Sequence, residues 1–150
     1  MSNPFDYLRK RREEKEEKLR SDAAVNEEAD KFEKQRKSER NQARKSQDLM
    51  VRDVLDQFAK AFNPGCGVSS PSDETTSSAN LGWSVGYMWE DYQNAPNSIS
   101  GWISYLEVQL EFSRDNKPVG FLCIEGFNRK KMHAALSRDG LIEVIRELFP

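Results

Sequence analysis

The sequence predicts an α+β protein: a long charged N-terminal helix, then an α-β-β-β-α domain of two layers whose sheet is a three-stranded antiparallel meander. Three observations carry that expectation. Residues 1–48 hold 14 Lys/Arg and 12 Asp/Glu and few apolar side chains. From Leu49 onward, apolar residues recur at helical spacing. Beyond residue 80 they alternate with period two, in runs separated by turn residues.

The first element is a charged helical arm over 1–48. Ser2 or Asn3 followed by Pro4 is a helix start, a capping side chain ahead of proline in the first turn. Glu14–Lys18, Glu16–Arg20, Glu27–Lys31 and Glu33–Lys37 place an acid four residues ahead of a base, each such pair contributing roughly 0.2–0.5 kcal/mol. The apolar residues Phe5, Leu8, Leu19, Val25 and Phe32 are too sparse to form a continuous seam at the 3.5-residue repeat of a coiled coil. A helix polar on every side is held by ion pairs or by partners. Leu19, Val25 and Phe32 are therefore the expected anchors.

The second element, over 49–150, is the compact body. Leu49, Met50, Val54, Leu55, Phe58, Ala59 and Phe62 form the apolar stripe of its first helix, which Asn63-Pro64-Gly65 ends. Residues 63–80, rich in Ser, Thr, Gly and Pro, read as a flexible loop of unusual length. Leu81, Trp83, Val85, Tyr87 and Trp89 alternate as a first strand, and residues 94–101 read as a turn. A second strand carries Trp102, Leu106, Val108, Leu110 and Phe112, and residues 115–118 close a hairpin to a third, Val119–Phe127. Residues 129–136 read as a short helical turn before a final helix with Leu141, Ile142, Val144, Ile145 and Leu148 on its apolar face. If Trp83, Val85, Leu106, Leu110 and Phe121 face the helices, then Met88, Ile103, Tyr105, Leu122 and Ile124 form the sheet's open face.

Composition narrows the function. The formal net charge is −2, split as +2 over 1–48 and −4 over the rest. An acidic body is a poor general binder of phosphate. Two cysteines, Cys66 and Cys123, make no disulfide framework. No apolar run reaches the ~18 residues of a membrane span, and the first dozen residues have no apolar core of a secretory signal. The expectation is an intracellular, cytoplasmic protein, nuclear location remaining open for a eukaryotic chain, with no membrane partner.

No motif names a reaction, and no catalytic residue, metal site, cofactor or small-molecule substrate is expected. His133, the only histidine, follows three cations, a poor setting for a paired base. Cys66, Cys123 and His133 lack the clustered spacing of a zinc site. Glu107 and Glu111 sit on the polar phase of their strand, whereas Glu125 follows an apolar run and is the carboxylate of most interest.

The leading expectation is a non-enzymatic protein–protein interaction or adaptor protein. Its body would bind through Trp83, Trp89, Trp102 and Tyr105, because aromatic residues tend to dominate interfaces. Its arm would meet a second protein, or its own copy, through Leu19, Val25 and Phe32. The alternative is a nucleic-acid-associated accessory protein using Arg9, Lys10, Arg11 and Arg12 with Arg129, Lys130 and Lys131. The α-β-β-β-α order is similar to that of the double-stranded-RNA-binding fold. That resemblance of topology implies phosphate contacts for basic residues just ahead of the last helix.

Overall fold

The computed structural model describes residues 3–74, 80–90 and 100–150, without the side chains of Trp89, Glu90 and Ser100. The elements are α1 (Asp6–Phe62), β1 (Gly67–Ser69), β2 (Gly82–Glu90), β3 (Ser100–Phe112), β4 (Pro118–Glu125), β5 (Lys131–Ala135) and α2 (Arg138–Leu148). The chain is α+β, as its patterning predicts, but the helices expected on either side of Asp48 are one element of 57 residues. No glycine or proline interrupts it before Asn63-Pro64-Gly65, so nothing in the sequence ends the first helix and starts a second.

Packing divides the chain at a different place from composition. The chain forms two compact units, Met1–Lys37 and Ser38–Pro150. In the second unit, α1 contributes Val51, Val54, Leu55 and Ala59 to the core, with Ala43, Met50 and Phe58 packed against it. Arg44 is buried as well. The charged stretch 38–48 therefore belongs to the body by packing, although it resembles the arm by composition.

The sheet has five strands in the order β1-β2-β3-β4-β5, every neighbouring pair antiparallel. The expected meander is its centre, β2 to β4. Each edge adds a short strand that the sequence reading missed. β1 lies inside the Ser/Gly-rich loop and pairs Val68 with Val85. β5 replaces the helical turn expected over 129–136, because Met132 and Ala134 point inward while Lys131, His133 and Ala135 point out. The turn predicted over 94–101, up to residue 99, and loop residues 75–79 lie outside the described residues.

One face of the sheet carries Trp83, Val85, Leu106, Val108, Leu110, Phe121 and Cys123, all buried against α1 and α2. Helix α2 starts at Ser137, whose hydroxyl oxygen accepts from the Gly140 N–H at 3.0 Å, satisfying one of the orphan amides of its first turn. Its Leu141, Val144, Ile145 and Leu148 enter the same core. Arg138 ties the start of α2 to Asp53 of α1 through an ion pair.

Candidate interaction surfaces

The arm unit holds its large apolar side chains in water. Leu19, Val25 and Phe32 are 68%, 63% and 61% exposed, and Phe5, Tyr7 and Leu8 are exposed with them. Phe32 lies under the guanidinium of Arg36, 5.7 Å from the ring centroid, and is otherwise open to solvent. Arg9, Lys10, Arg11 and Arg12 are all exposed. Arg9 pairs with Asp6 at 3.6 Å and Arg12 with Glu16 at 3.9 Å. Pairs this exposed contribute only tenths of a kcal/mol. A shallow groove of about 640 Å³ runs along Leu8, Arg11, Arg12, Glu14, Lys15 and Lys18.

In the body, the four aromatic residues expected at an interface separate into three environments. Trp83 is fully buried. Its ring meets Phe121 edge-on at 6.4 Å, and its indole N–H donates to Asp48 at 2.9 Å. It is a core residue and presents no surface to a partner. Trp102, 39% exposed, stands opposite Met88, which is 70% exposed. Its ring reaches across β2 toward Gly67 of β1, within 3.9 Å of the point where a Cβ would stand. The backbone of Trp89 pairs with Gly101, but its side chain is outside the described residues.

Tyr105 is not on the open face where alternation placed it. The register of β2 with β3 slips between Val85 and Gly86, so that Val85 pairs with Leu106 and Gly86 with Ser104. Tyr105 is the extra residue of this bulge and turns to the helix side. There it meets Phe62 at 5.2 Å, Phe127 at 5.1 Å and Tyr87 at 5.7 Å. Phe58 and Phe149 extend the same group through contacts of 4.9 to 5.4 Å. The slip requires backbones to meet closely: a Cβ on Gly86 would lie 1.9 Å from the Ile103 carbonyl oxygen. Ile103, also expected on the open face, is half-buried and pairs with Tyr87, one residue out of phase with Trp102, and Ile124 is buried, leaving Met88, Trp102 and the half-buried Leu122 as its apolar surface.

The groups with chemical potential are held in structural roles. Both Glu125 oxygens accept backbone amides of the β4–β5 turn, from Phe127 at 2.7 Å and Asn128 at 2.9 Å. His133 lies against Glu111 across the open face, Nδ1 to Oε1 2.6 Å, with the imidazole exposed. Burial, with the nearby Glu111 charge, pushes the Cys123 thiol up to about 12, far from a reactive thiolate. Desolvation raises Cys66 as well. Among the described residues no three His, Cys, Asp or Glu side chains gather as a metal site, and no helix is long and apolar enough to cross a membrane. An apolar cleft between α1 and α2, lined by Val54, Phe58, Ile142 and Ile145, measures about 220 Å³, below the usual ~300–1,000 Å³ of a small-molecule pocket.

Arg129, Lys130 and Lys131 are exposed at the β4–β5 turn, with Arg129 in the left-handed region at φ 59°. The fifth strand separates this turn from α2. The basic cluster thus does not abut the last helix as the double-stranded-RNA-binding topology implies.

The cluster that sequence reading missed is ionic. Arg40 Nε and a terminal guanidinium nitrogen donate to the two Glu74 oxygens at 2.9 and 2.6 Å, and Arg44 adds a third bond at 3.1 Å. The Glu74 N–H donates to Asn41 Oδ1 at 2.7 Å. Arg40 also reaches Asn116 of the β3–β4 hairpin at 3.1 Å, and Arg44 stacks over Phe112 at 5.3 Å. The guanidinium bonds, Arg40's first, hold the Glu74 carboxyl down at about 2 against the opposing effect of burial. The only hint in the sequence is two arginines four apart, one helical turn, and their partner is some 30 residues away. Compared with protein-family models, curated proteins and solved structures, the chain matches none.

Proposed function

We propose that the protein is a non-enzymatic protein-binding module that recognises partners with two surfaces, the arm helix and the open sheet face around Trp102. One observation carries this reading. A single helix buries Val51, Val54, Leu55 and Ala59 in its second half, where Leu49 and Phe62 stay exposed, while none of Leu8, Leu19, Val25 and Phe32 in its first half is buried. Isolated exposed apolar residues are ordinary, but a helix whose large apolar side chains are all exposed has not met its partner. Among the described side chains of the open face, Trp102 and Met88 are the exposed large apolar ones, beside half-buried Leu122, and a tryptophan at such a position is a common binding anchor.

The test is an affinity capture with the full chain, run beside a Leu19→Ser/Val25→Ser/Phe32→Ser variant and a Trp102→Ser variant. The reading expects partners that disappear with one variant and persist with the other. Identical captures for all three proteins would contradict it.

The run of three exposed cations at the β4–β5 turn supports a second reading, nucleic-acid association with Arg9–Arg12 contributing. Phosphate contacts release counterions, so binding would weaken steeply with salt, with a log–log slope near −0.9 per phosphate contact. No binding at low salt would exclude it.

A further inference from the structure

We infer that the arm's occupant is a second copy of the same arm, packed antiparallel about a two-fold axis near Leu19. The inference deepens the binding role proposed above and rests on it. It begins with charge. Residues 8–20 carry seven Lys/Arg against four Asp/Glu, net +3, whereas residues 22–33 carry one Lys against five Asp/Glu, net −4. The groove along Leu8, Arg11, Arg12, Glu14, Lys15 and Lys18 has four cations and one acid in its wall. Its complement is an acidic helix with apolar knobs, and 22–33, with exposed Val25 and Phe32, has that chemistry. Both segments belong to one continuous helix, so 22–33 cannot fold back onto 8–20 of its own chain. It can reach the groove only from another copy.

Spacing fixes the direction. On a seven-residue frame starting at Leu8, the inner positions are Leu8, Lys15, Asp22 and Ala29, alternating with Arg11, Lys18, Val25 and Phe32; Leu19 lies on the flank. The apolar seam is broken, but antiparallel pairing sets no like charges against each other in it: Lys18 meets Asp22, and the stems of Arg11 and Lys15 lie over Ala29 and Val25. Antiparallel pairing sets Leu8 against Phe32, Arg11 against Ala29, Lys15 against Val25 and Lys18 against Asp22, with the two copies of Leu19 adjacent at the centre. Parallel pairing would instead set Arg11, Lys15, Lys18 and Asp22 each against its own copy, burying like charges in four layers. A polar residue at a single inner position specifies register at a cost in stability, and four charged inner positions make this a weak, salt-sensitive pairing. The antiparallel arrangement has an unfavourable approach too, Glu14 to Glu28, on the solvated flank, where repulsion is small.

The experiment uses the full chain in sedimentation equilibrium from about 1 µM to 1 mM, the weak end of specific association. The expected result is a reversible dimer that dissociates as salt rises. Leu19→Glu should weaken it at least tenfold, and Trp102→Ser should leave it unchanged. Orientation is read by a short bis-maleimide crosslinker in a Cys66→Ser background. Leu19→Cys should link to itself. Leu8→Cys should not, because its two copies stand about 36 Å apart at 1.5 Å per residue. Leu8→Cys mixed with Phe32→Cys should link.

Self-linking of Leu8→Cys as fast as Leu19→Cys would overturn the orientation, and a dimer indifferent to Leu19→Glu would overturn the surface. A monomer at every concentration would overturn the inference. If that monomer still captures a protein through Leu19, Val25 and Phe32, the binding role survives with a different occupant; if it captures none by any surface, both fall.

Discussion

Leu19 and Leu55 are the same residue in the same helix, and they live in different solvents. Leu55 is fully buried among Val51, Val54, Trp83 and the inner faces of β3 and β4, whereas Leu19 is 68% exposed. Helical propensity treats both alike. The difference is made by what the rest of the chain brings to the helix. Over 38–62, α1 is the floor under a five-stranded sheet, and the Arg40–Arg44–Glu74 cluster, Asp48 and Asp53 bond it to distant segments. Over 6–37 the large apolar side chains of the helix, Leu8, Leu19, Val25 and Phe32 among them, stay exposed. Secondary structure thus says little about which half of α1 stabilises the fold; burial decides it.

The sharpest way to break that comparison is to truncate both leucines. Leu55→Ala should cost about 2–5 kcal/mol, the lost transfer energy plus that of the cavity left behind. Leu19→Ala should stay within about 0.5 kcal/mol, as surface changes do. Urea unfolding followed by tryptophan fluorescence, at protein concentrations low enough to avoid association, measures both. Comparable losses would mean that the arm is part of the cooperative unit.

The next largest effect concerns the boundary itself. Glu74 has its carboxyl pKa lowered from 4.5 to about 2 by Arg40 and Arg44. A carboxylate more acidic in the folded than in the unfolded chain contributes its stability above the unfolded pKa and loses it as pH falls through the folded one. This shift is worth up to about 3 kcal/mol, present at neutral pH and lost between about pH 5 and pH 2. Glu74→Gln should remove most of that pH dependence and lower stability at pH 7, because two partly buried guanidinium groups lose their counter-charge. Parallel acid-unfolding curves for wild type and variant would contradict the assignment.

Trp83→Phe tests a smaller link. It keeps a ring in the core but removes the indole bond to Asp48. The expected cost is about 1 kcal/mol for the hydrogen bond, plus a packing loss from the smaller ring. Asp48→Ala added to the Trp83→Phe variant should then cost little more, and a full second loss would show that the two residues act independently.

How far the sequence reveals this structure follows from how local its signals are. The helical stripe, the alternation in β2 and β3, the apolar run of β4 and the apolar face of α2 extend over many residues, and as elements they read correctly, although Leu49 and Phe62 at the ends of the expected stripe are exposed. β1 is only three residues long, too short for period two to register, and it lies among residues that otherwise mark loops. β5 does alternate, but through Met132 and Ala134, good helix formers whose burial depends on β4 alongside. Tyr105 changes face because one residue of register slips opposite Gly86, a long-range event that alternation within β3 cannot report. The body boundary was hidden for a similar reason. Arg40 and Arg44 look like surface cations until Glu74, some 30 residues later, gives them a buried partner. Composition singled out Leu19, Val25, Phe32 and Trp102, all of them exposed, but it cannot distinguish an exposed tryptophan from one that packs, as Trp83 does.

The most direct test of the two-part helix is amide hydrogen exchange along α1 in the full chain, at a concentration where the protein is monomeric. The account predicts a step near Lys37 and Ser38: exchange fast from Asp6 to Lys37, and slow from Val51 to Ala59, where opening requires the body to unfold. Uniform protection from one end of α1 to the other would contradict it.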